Sequence, residues 1–295
     1  MTQTNYIGID IGGTKVHIGV VQDGQIVRDV RFETSAQAPQ EQILGELVRH
    51  IQLMLDTADV AGIGIGVPGL VDEQQGVVHN VQNIPSWREV RLKEHLARHF
   101  AQPVYMTNDA NAFAVGEKIF GQGQPYANLV GLTLGTGLGA GIIINHDLHA
   151  GTLSSAGEFG CIPYLDKTVE DYCSGKFFVQ QYQQEGGALY ALARTGDARA
   201  LEALASYGRH LGNTIKIILH TLAPEAIFLG GSVSHGYELF REAMEASIRE
   251  FPFRLVTDRL VVAPSKLRNA AVLGAAALCK MKQELSTATP QTLPL

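Results

Sequence analysis

Apolar residues alternate along Tyr6 to Ile11 and again along Val16 to Val21, which predicts two strands. Between them stand Gly12, Gly13, Thr14 and Lys15, so the glycines are expected to form the tight turn of a hairpin with its backbone bare to an approaching group. Gln25 to Glu33 continues as a third strand. Ile43, Leu47, Ile51 and Leu55 recur at helical spacing within Gln42 to Asp56. "VAGIGIGVPG" then reads as a buried strand that runs into a loop at Pro68 and Gly69. Leu92 to Phe100 is a predicted helix, "PVYMTND" a strand ending on Asp109, and Ala110 to Phe120 a further helix. The glycine- and proline-containing "GQGQPYAN" is the expected linker.

From Val130 the order starts again. "VGLTLGTGLGAGIIINHD" sets strand, glycine turn and strand in the sequence already met in "IGIDIGGTKVHIGVVQDG". Helical patterns follow at Val169 to Gln181 and Ala200 to Leu222, then "EAIFLGGSVS" as a buried strand, a helix from Tyr237 to Glu250, the strand "RLVVAPS" and a helix from Ala270 to Lys280. Strands alternating with helices predict an α/β fold built on an internally duplicated β-β-β-α-β-α-β-α unit, with ligands at the strand ends. Residues 1-122 are expected to form an N-terminal α/β lobe joined by the C-terminal helix 268-283. Residues 123-267 form the second lobe, and 284-295 a flexible polar tail.

Composition narrows the partners. The 295-residue chain has a formal net charge of -6, which argues against nucleic acid as the main partner but leaves room for a small phosphorylated ligand. No apolar run is long enough to span a bilayer, and Met1 to Asn5 is too short and polar for a secretory signal, so no membrane partner and a cytoplasmic location are expected. Three cysteines without C-x-x-C spacing predict free thiols.

The glycine turns fit neither common nucleotide motif. "DIGGTK" lacks the G-x-x-x-x-G-K-[ST] of a P-loop, and Gly135, Gly137 and Ala140 lead into a strand where a Rossmann fingerprint needs a helix. Either turn alone could be an ordinary hairpin. Two at equivalent places of a duplicated unit could hold a polyphosphate from two sides across a cleft, with Thr14, Lys15 and Thr136 as added donors.

Together with the paired turns, "GVPGLVD" at Gly66, "QNIPSW" at Gln82, "TNDANAFAVGE" at Thr107, "SAGEFG" at Ser155 and "VEDYCSG" at Val169 resemble, in order and over nearly the whole chain, the ROK family of sugar kinases. That resemblance implies a two-lobed actin-like ATPase (ribonuclease H-like) fold, ATP and Mg2+ as cofactors, a hexose substrate and a homodimer. It makes Asp109 the catalytic base for a 6-hydroxyl, and Asn83, Asn108, Glu158 and Glu170 the sugar-binding residues. Asp10, Gly12, Gly13, Thr14, Lys15, Gly135, Thr136 and Gly137 fall to the phosphates, with magnesium near Asp10, and Gly230, Gly231 and Ser232 to the adenosine. The plainer alternatives are a helix cap at Asn108 or Asp109 and solvated surface at Glu158 and Glu170. Trp87 could stack on a sugar or simply pack. Lys216, Arg209 and Arg268 read as solvated faces of predicted helices.

The family pattern breaks at one place. Where members continue E-x-G-H and then carry a zinc-binding cysteine cluster, this chain reads "GEFGCIPYLDKTVEDYCSG", with Cys161 in the histidine position. Cys161 and Cys173 are too few ligands for a closed zinc site, so no structural zinc is expected, and packing of Phe159, Ile162, Pro163, Tyr164 and Leu165 must hold the loop. The expected activity is ATP-dependent phosphorylation of glucose. Fructose, mannose, allose and N-acetylhexosamines are alternative substrates, and polyphosphate an alternative donor. Two rivals are a sugar-responsive regulator, which needs a DNA-binding segment ahead of the strand at Tyr6, and an actin-like ATPase, which has no use for the sugar residues.

Overall fold

A computed structural model describes residues 4–81 and 83–287. The chain divides into two compact units, one of Met1–Gln124, Ala150–Ser155 and Leu267–Leu295, the other of Pro125–His149 and Ala156–Lys266.

The first unit is built on β1 (Asn5–Ile11), β2 (Lys15–Gln22), β3 (Gln25–Glu33), β4 (Val60–Val67) and β8 (Val104–Asn108), in the order β3-β2-β1-β4-β8. Between β4 and β8 the chain forms a small antiparallel sheet of β5 (Leu70–Asp72), β6 (Val77–His79) and β7 (Glu89–Val90) and the helix α2 (Leu92–Ala97). Helix α1 (Gln40–Leu55) buries Ile43, Leu44, Leu47, Ile51 and Met54 in the core around the main sheet. Helices α3 (Asp109–Phe120) and α10 (Ala270–Thr287) pack on the sheet and on each other.

The face under α10 is made of glycine. Gly19, Gly8 and Gly64 stand side by side in register across β2, β1 and β4. A Cβ on Gly8 or Gly64 would fall on the carbonyl oxygens of Val272 and Ala275, so helix backbone lies directly on strand backbone. Gly274 has the same role toward α3, where a Cβ would strike the Ala112 carbonyl.

The second unit has the sheet β11-β10-β9-β14-β15, formed by β9 (Leu129–Leu134), β10 (Leu138–Ile144), β11 (Asp147–Leu148), β14 (Ala226–Gly230) and β15 (Val261–Pro264). Strand for strand this is the order of the first sheet, with β9 in the place of β1 and β14 in that of β4. The duplicated sheet read from the glycine turns is therefore present. Its third strand is reduced to two residues, because Asn145 and His146 turn the chain with positive φ directly after β10.

A short hairpin of β12 (Pro163–Tyr164) and β13 (Lys167–Thr168) precedes α4 (Val169–Cys173) and α5 (Gly175–Tyr182). These two replace the single helix expected over Val169 to Gln181. Ser174 is extended and caps α5 by accepting from the Lys176 N–H, which breaks the run. Helix α6 (Gly186–Arg194) has no counterpart in the sequence reading, since two glycines open it. Then come α7 (Ala198–Thr221), α8 (Tyr237–Ile248) and α9 (Arg254–Thr257).

Two further expectations change. Arg268 lies in a turn, not on a helix. Helix α10 runs to Thr287, so residues 284–287 are helical where a flexible tail was expected; residues 288–295 lie outside the described part, as does Gln82. Among the described residues, no helix is long and apolar enough to cross a membrane.

The glycine row makes a stability prediction. Gly64→Ala should destabilise the chain by about 3 kcal/mol, because the clash is with backbone that cannot rotate away. Gly45→Ala in α1, where a Cβ meets nothing, should stabilise it by roughly 0.5–1 kcal/mol. Denaturant titration followed by the fluorescence of the single tryptophan, Trp87, checks both; a Gly64→Ala midpoint equal to wild type would refute the close packing.

Candidate active site

At the end of the first sheet two carboxylates come close. Asp10 pairs in register with Gly66 of β4, and Gly66 pairs with Thr107 of β8. A Cβ on Gly66 would lie 3.2 Å from the Ala112 side chain and 3.6 Å from the Asp109 Cα, so the missing side chain makes room for the first turn of α3 beside Asp10. Asn108 is the N-cap of that helix. The Ala110 N–H donates to Asn108 Oδ1 at 2.8 Å and to Asp109 Oδ1 at 2.9 Å, while Asn108 Nδ2 donates to the Gly69 carbonyl at 3.1 Å. The capping alternative is therefore realised at Asn108, and it fixes the direction in which the following Asp109 projects.

Both carboxyl residues are half-buried. Burial pushes the Asp10 pKa up to about 6, and the charge of Asp109 pushes in the same direction, with no side-chain hydrogen bond from the described residues to offset them. Asp109 is also raised by burial, against the pull of the Ala110 N–H and its own N–H. Such a pair fits magnesium chemistry, since that ion keeps several waters and takes one or two carboxylates together with phosphate oxygens.

The turn beside them is braced. Thr34 Oγ1 donates to the Gly12 carbonyl at 2.6 Å and the Thr34 N–H to the Thr14 carbonyl at 3.0 Å, while the Gly12 N–H donates to the Lys15 carbonyl at 2.9 Å. Thr14 and Lys15 are exposed. Gly13 is not bare, as expected from the sequence, but half-covered: a Cβ there would run into the Asn83 side chain. Asn83 thus meets the turn at Gly13.

In the second unit, Gly135, Thr136 and Gly137 form the equivalent turn between β9 and β10. The Gly135 N–H donates to the Gly137 carbonyl at 3.0 Å, and the Gly175 N–H donates to the Gly135 carbonyl at 2.7 Å. A Cβ on Gly135 would meet nothing, and Thr136 is exposed. Glu170 is bound to this turn. Its Oε2 accepts from the Leu138 N–H at 2.9 Å, its Oε1 pairs with Lys176 Nζ at 2.5 Å, and a side chain on Gly137 would strike it. Glu158 is exposed, with Cys161 Sγ 3.6 Å from its Oε2. Burial, followed by the Glu158 charge, raises the Cys161 thiol. At the end of β14, Gly230 is buried, and Gly231 has φ +81° with its Cα set against the Leu134 backbone, a position only glycine takes comfortably.

The loop between Glu158 and Glu170 is held differently from expectation. Phe159 is buried, and Ile162 and Tyr164 pack on the core, but Pro163 is exposed and Leu165, at positive φ in the hairpin turn, is 70% exposed. The Tyr164 hydroxyl adds polar contacts, accepting from Asn213 Nδ2 at 2.8 Å and lying 3.1 Å from His210 Nδ1. Cys173 points into the core, against Thr214 Oγ1 at 3.2 Å. Among the described residues, no group of three or more His, Cys, Asp or Glu side chains is arranged to hold a metal ion. Trp87 is only 1% exposed and belongs to the core, so it packs and presents no face to a ligand. Lys216 and Arg209 pair with Glu250 and Glu202.

Two contributors carry no sequence signal, Thr34 and Glu73, since each acts on a residue that only the fold brings near; for a third, Lys176, its place six positions after Glu170 could have drawn notice.

Two sheets of identical strand order, each with a glycine turn after its first strand and a carboxylate or glycine at the strand ends, define an actin-like ATPase fold. The chain belongs to the ROK family, whose sequence pattern matches residues 6–282. It is 29% identical to a glucokinase of Thermotoga maritima over 95% of this chain and 98% of that protein. To the xylose repressor of Bacillus subtilis it is also 29% identical, over 91% of this chain and 75% of the repressor. Among solved structures, a ROK family glucokinase from Streptomyces griseus in complex with glucose and AMPPNP superposes with a TM-score of 0.80 at 31% identity, over 94% of this chain and 99% of that one.

The unrelieved charge on Asp10 is a measurable burden. Its folded pKa lies above the unfolded value, so the folded state binds the proton more tightly, and stability is lost as pH rises from about 4 through about 6. In EDTA, Asp10→Asn should raise the melting temperature at about pH 7.5 and confer no gain at about pH 4. A variant no more stable than wild type at neutral pH would show that Asp10 carries no such cost.

Proposed function

We propose that this chain transfers the γ-phosphoryl group of ATP to the 6-hydroxyl of a hexose, glucose being the first candidate, with Asp109 as general base. The observation that carries the reading is the placement of Asp109: a half-buried carboxylate of raised basicity, aimed by the Asn108 cap and set beside a second carboxylate at a strand end. The likeness to glucokinases over nearly the full chain supports the class of reaction, and the neighbour holding AMPPNP supports ATP as donor.

In this reading Asp109 takes the hydroxyl proton as the sugar oxygen bonds to the γ-phosphorus, and the bond from that phosphorus to the bridging oxygen breaks to release ADP. Asn83, Asn108, Glu158 and Glu170 bind and orient the hydroxyls. The braced turns at Gly12–Lys15 and Gly135–Gly137 offer backbone donors to the phosphates, and Gly230 and Gly231 accommodate the adenosine. Magnesium, held with the phosphates near Asp10, would supply charge neutralisation.

The xylose-repressor likeness favours a second reading, a sugar-binding domain without turnover. ADP release measured across a panel of hexoses separates them. Sugar-dependent release that falls about a hundredfold or more in Asp109→Asn, with sugar still bound, is the expected outcome. Binding of a sugar with no ADP release from wild type would favour the regulator.

The two turn glycines give a sharper test. Gly135→Ala, which meets no neighbour, should leave stability unchanged and raise KM for ATP about tenfold by keeping a phosphate off the backbone. Gly137→Ala displaces Glu170 and should raise KM for the sugar more. Equal effects of Gly135→Ala on both constants would remove this turn from phosphate binding.

A further inference from the structure

Glu73 lies in the turn between β5 and β6, outside every motif singled out from the sequence. Its side chain is 19% exposed and gathers donors from three distant parts of the first unit. Thr107 Oγ1 donates to Glu73 Oε1 at 2.6 Å. Ser154 Oγ lies 3.1 Å from the same oxygen and 3.1 Å from the Val71 carbonyl. Lys282 Nζ of α10 stands 3.3 Å from Oε2.

Thr107 is fully buried, two residues before Asp109. Because its hydroxyl proton is committed to Glu73, its lone pairs face the other way and accept from Asn111 Nδ2 at 3.3 Å, two residues after Asp109. One carboxylate therefore fixes the strand end and the helix turn on either side of the proposed base. It also holds Ser154, a buried residue at φ +56° that follows Leu153 at φ +52°, two consecutive left-handed residues that local preference does not supply. A buried hydroxyl deprived of its acceptor turns toward another partner, and its backbone follows.

We propose that Glu73 is a positioning residue for Asp109, acting through Thr107 and Asn111. The proposal rests on Asp109 being the base, and its test keeps the two apart. Glu73→Ala should lower kcat at least tenfold with KM for ATP within about twofold, since a misplacement of about 1 Å is enough for such a loss. Thr107→Val should match it, and the double variant should be no worse than either alone. Glu73→Gln, whose amide oxygen still accepts from Thr107, should stay within about threefold of wild type. Crystal structures read the same point without activity: the Asp109 carboxyl should shift by about 1 Å in Glu73→Ala and stay in place in Glu73→Gln. An Asp109 that does not move, or a Glu73→Gln variant as impaired as Glu73→Ala, overturns the proposal. A wild-type protein that turns over no hexose sinks the kinase reading instead, and the position of Asp109 in the two crystal structures then decides the role of Glu73.

Discussion

The first unit is organised by a sheet face on which side chains are missing. Gly8 and Gly64 let α10 rest backbone on backbone, Gly19 beside them leaves room for the Val272 side chain, and Gly66, one pleat further along the same strand as Gly64, lets the start of α3 come down beside Asp10. One constraint, the absence of side chains on this face, thus sets how closely α10 approaches the strands at Gly8 and Gly64 and how snugly the first turn of α3 sits at Gly66, across from Asp10.

That constraint creates an electrostatic debt which the surroundings only partly relieve. Asp109 has two backbone donors; Asp10 has none among the described residues, and its neighbour adds repulsion. Residues in such a state reduce stability and persist where a site needs them, as poised cation and proton acceptors do. Glu170 shows the opposite treatment. Its two oxygens are satisfied by the Leu138 N–H and by Lys176, so it serves as a strut for the Gly135–Gly137 turn as well as a candidate sugar ligand. A side chain on Gly137 would strike this carboxylate, whereas one on Gly135, two residues away, would meet nothing.

Much of this was legible in the chain. Alternation marked β1 and β2 to within one residue of their ends, and the repeated strand–glycine–strand pattern revealed the doubled sheet, because those signals are local and periodic. The sequence failed where the determinant was a single side-chain interaction or a distant partner. Ser174 splits a helix by one cap, the glycines at 186 and 187 hide α6, and two left-handed residues cut β11 short. In the candidate site, residue type and resemblance pointed to Asp10, Asp109 and Glu170, but not to the side chains they meet. Glu73 reaches Thr107 across 34 residues and Lys282 across 209. The apolar run at Phe159 to Leu165 suggested a purely apolar loop anchor, whereas Leu165 points to solvent and the Tyr164 hydroxyl does part of the holding.

The placement of α10 has a consequence for how the molecule is made. The helix that covers β1 and β4 follows the second unit in the chain, and the Tyr6 hydroxyl finds its acceptor on Gln283 across 277 residues. Translation proceeds from the amino end, so the glycine face leaves the ribosome early and stays uncovered until the whole second unit has been synthesised. The glycine strip on β1, β2 and β4 thus depends for its cover on residues that are made after the second unit, so the first unit's packing is closed by a segment remote in synthesis as well as in sequence.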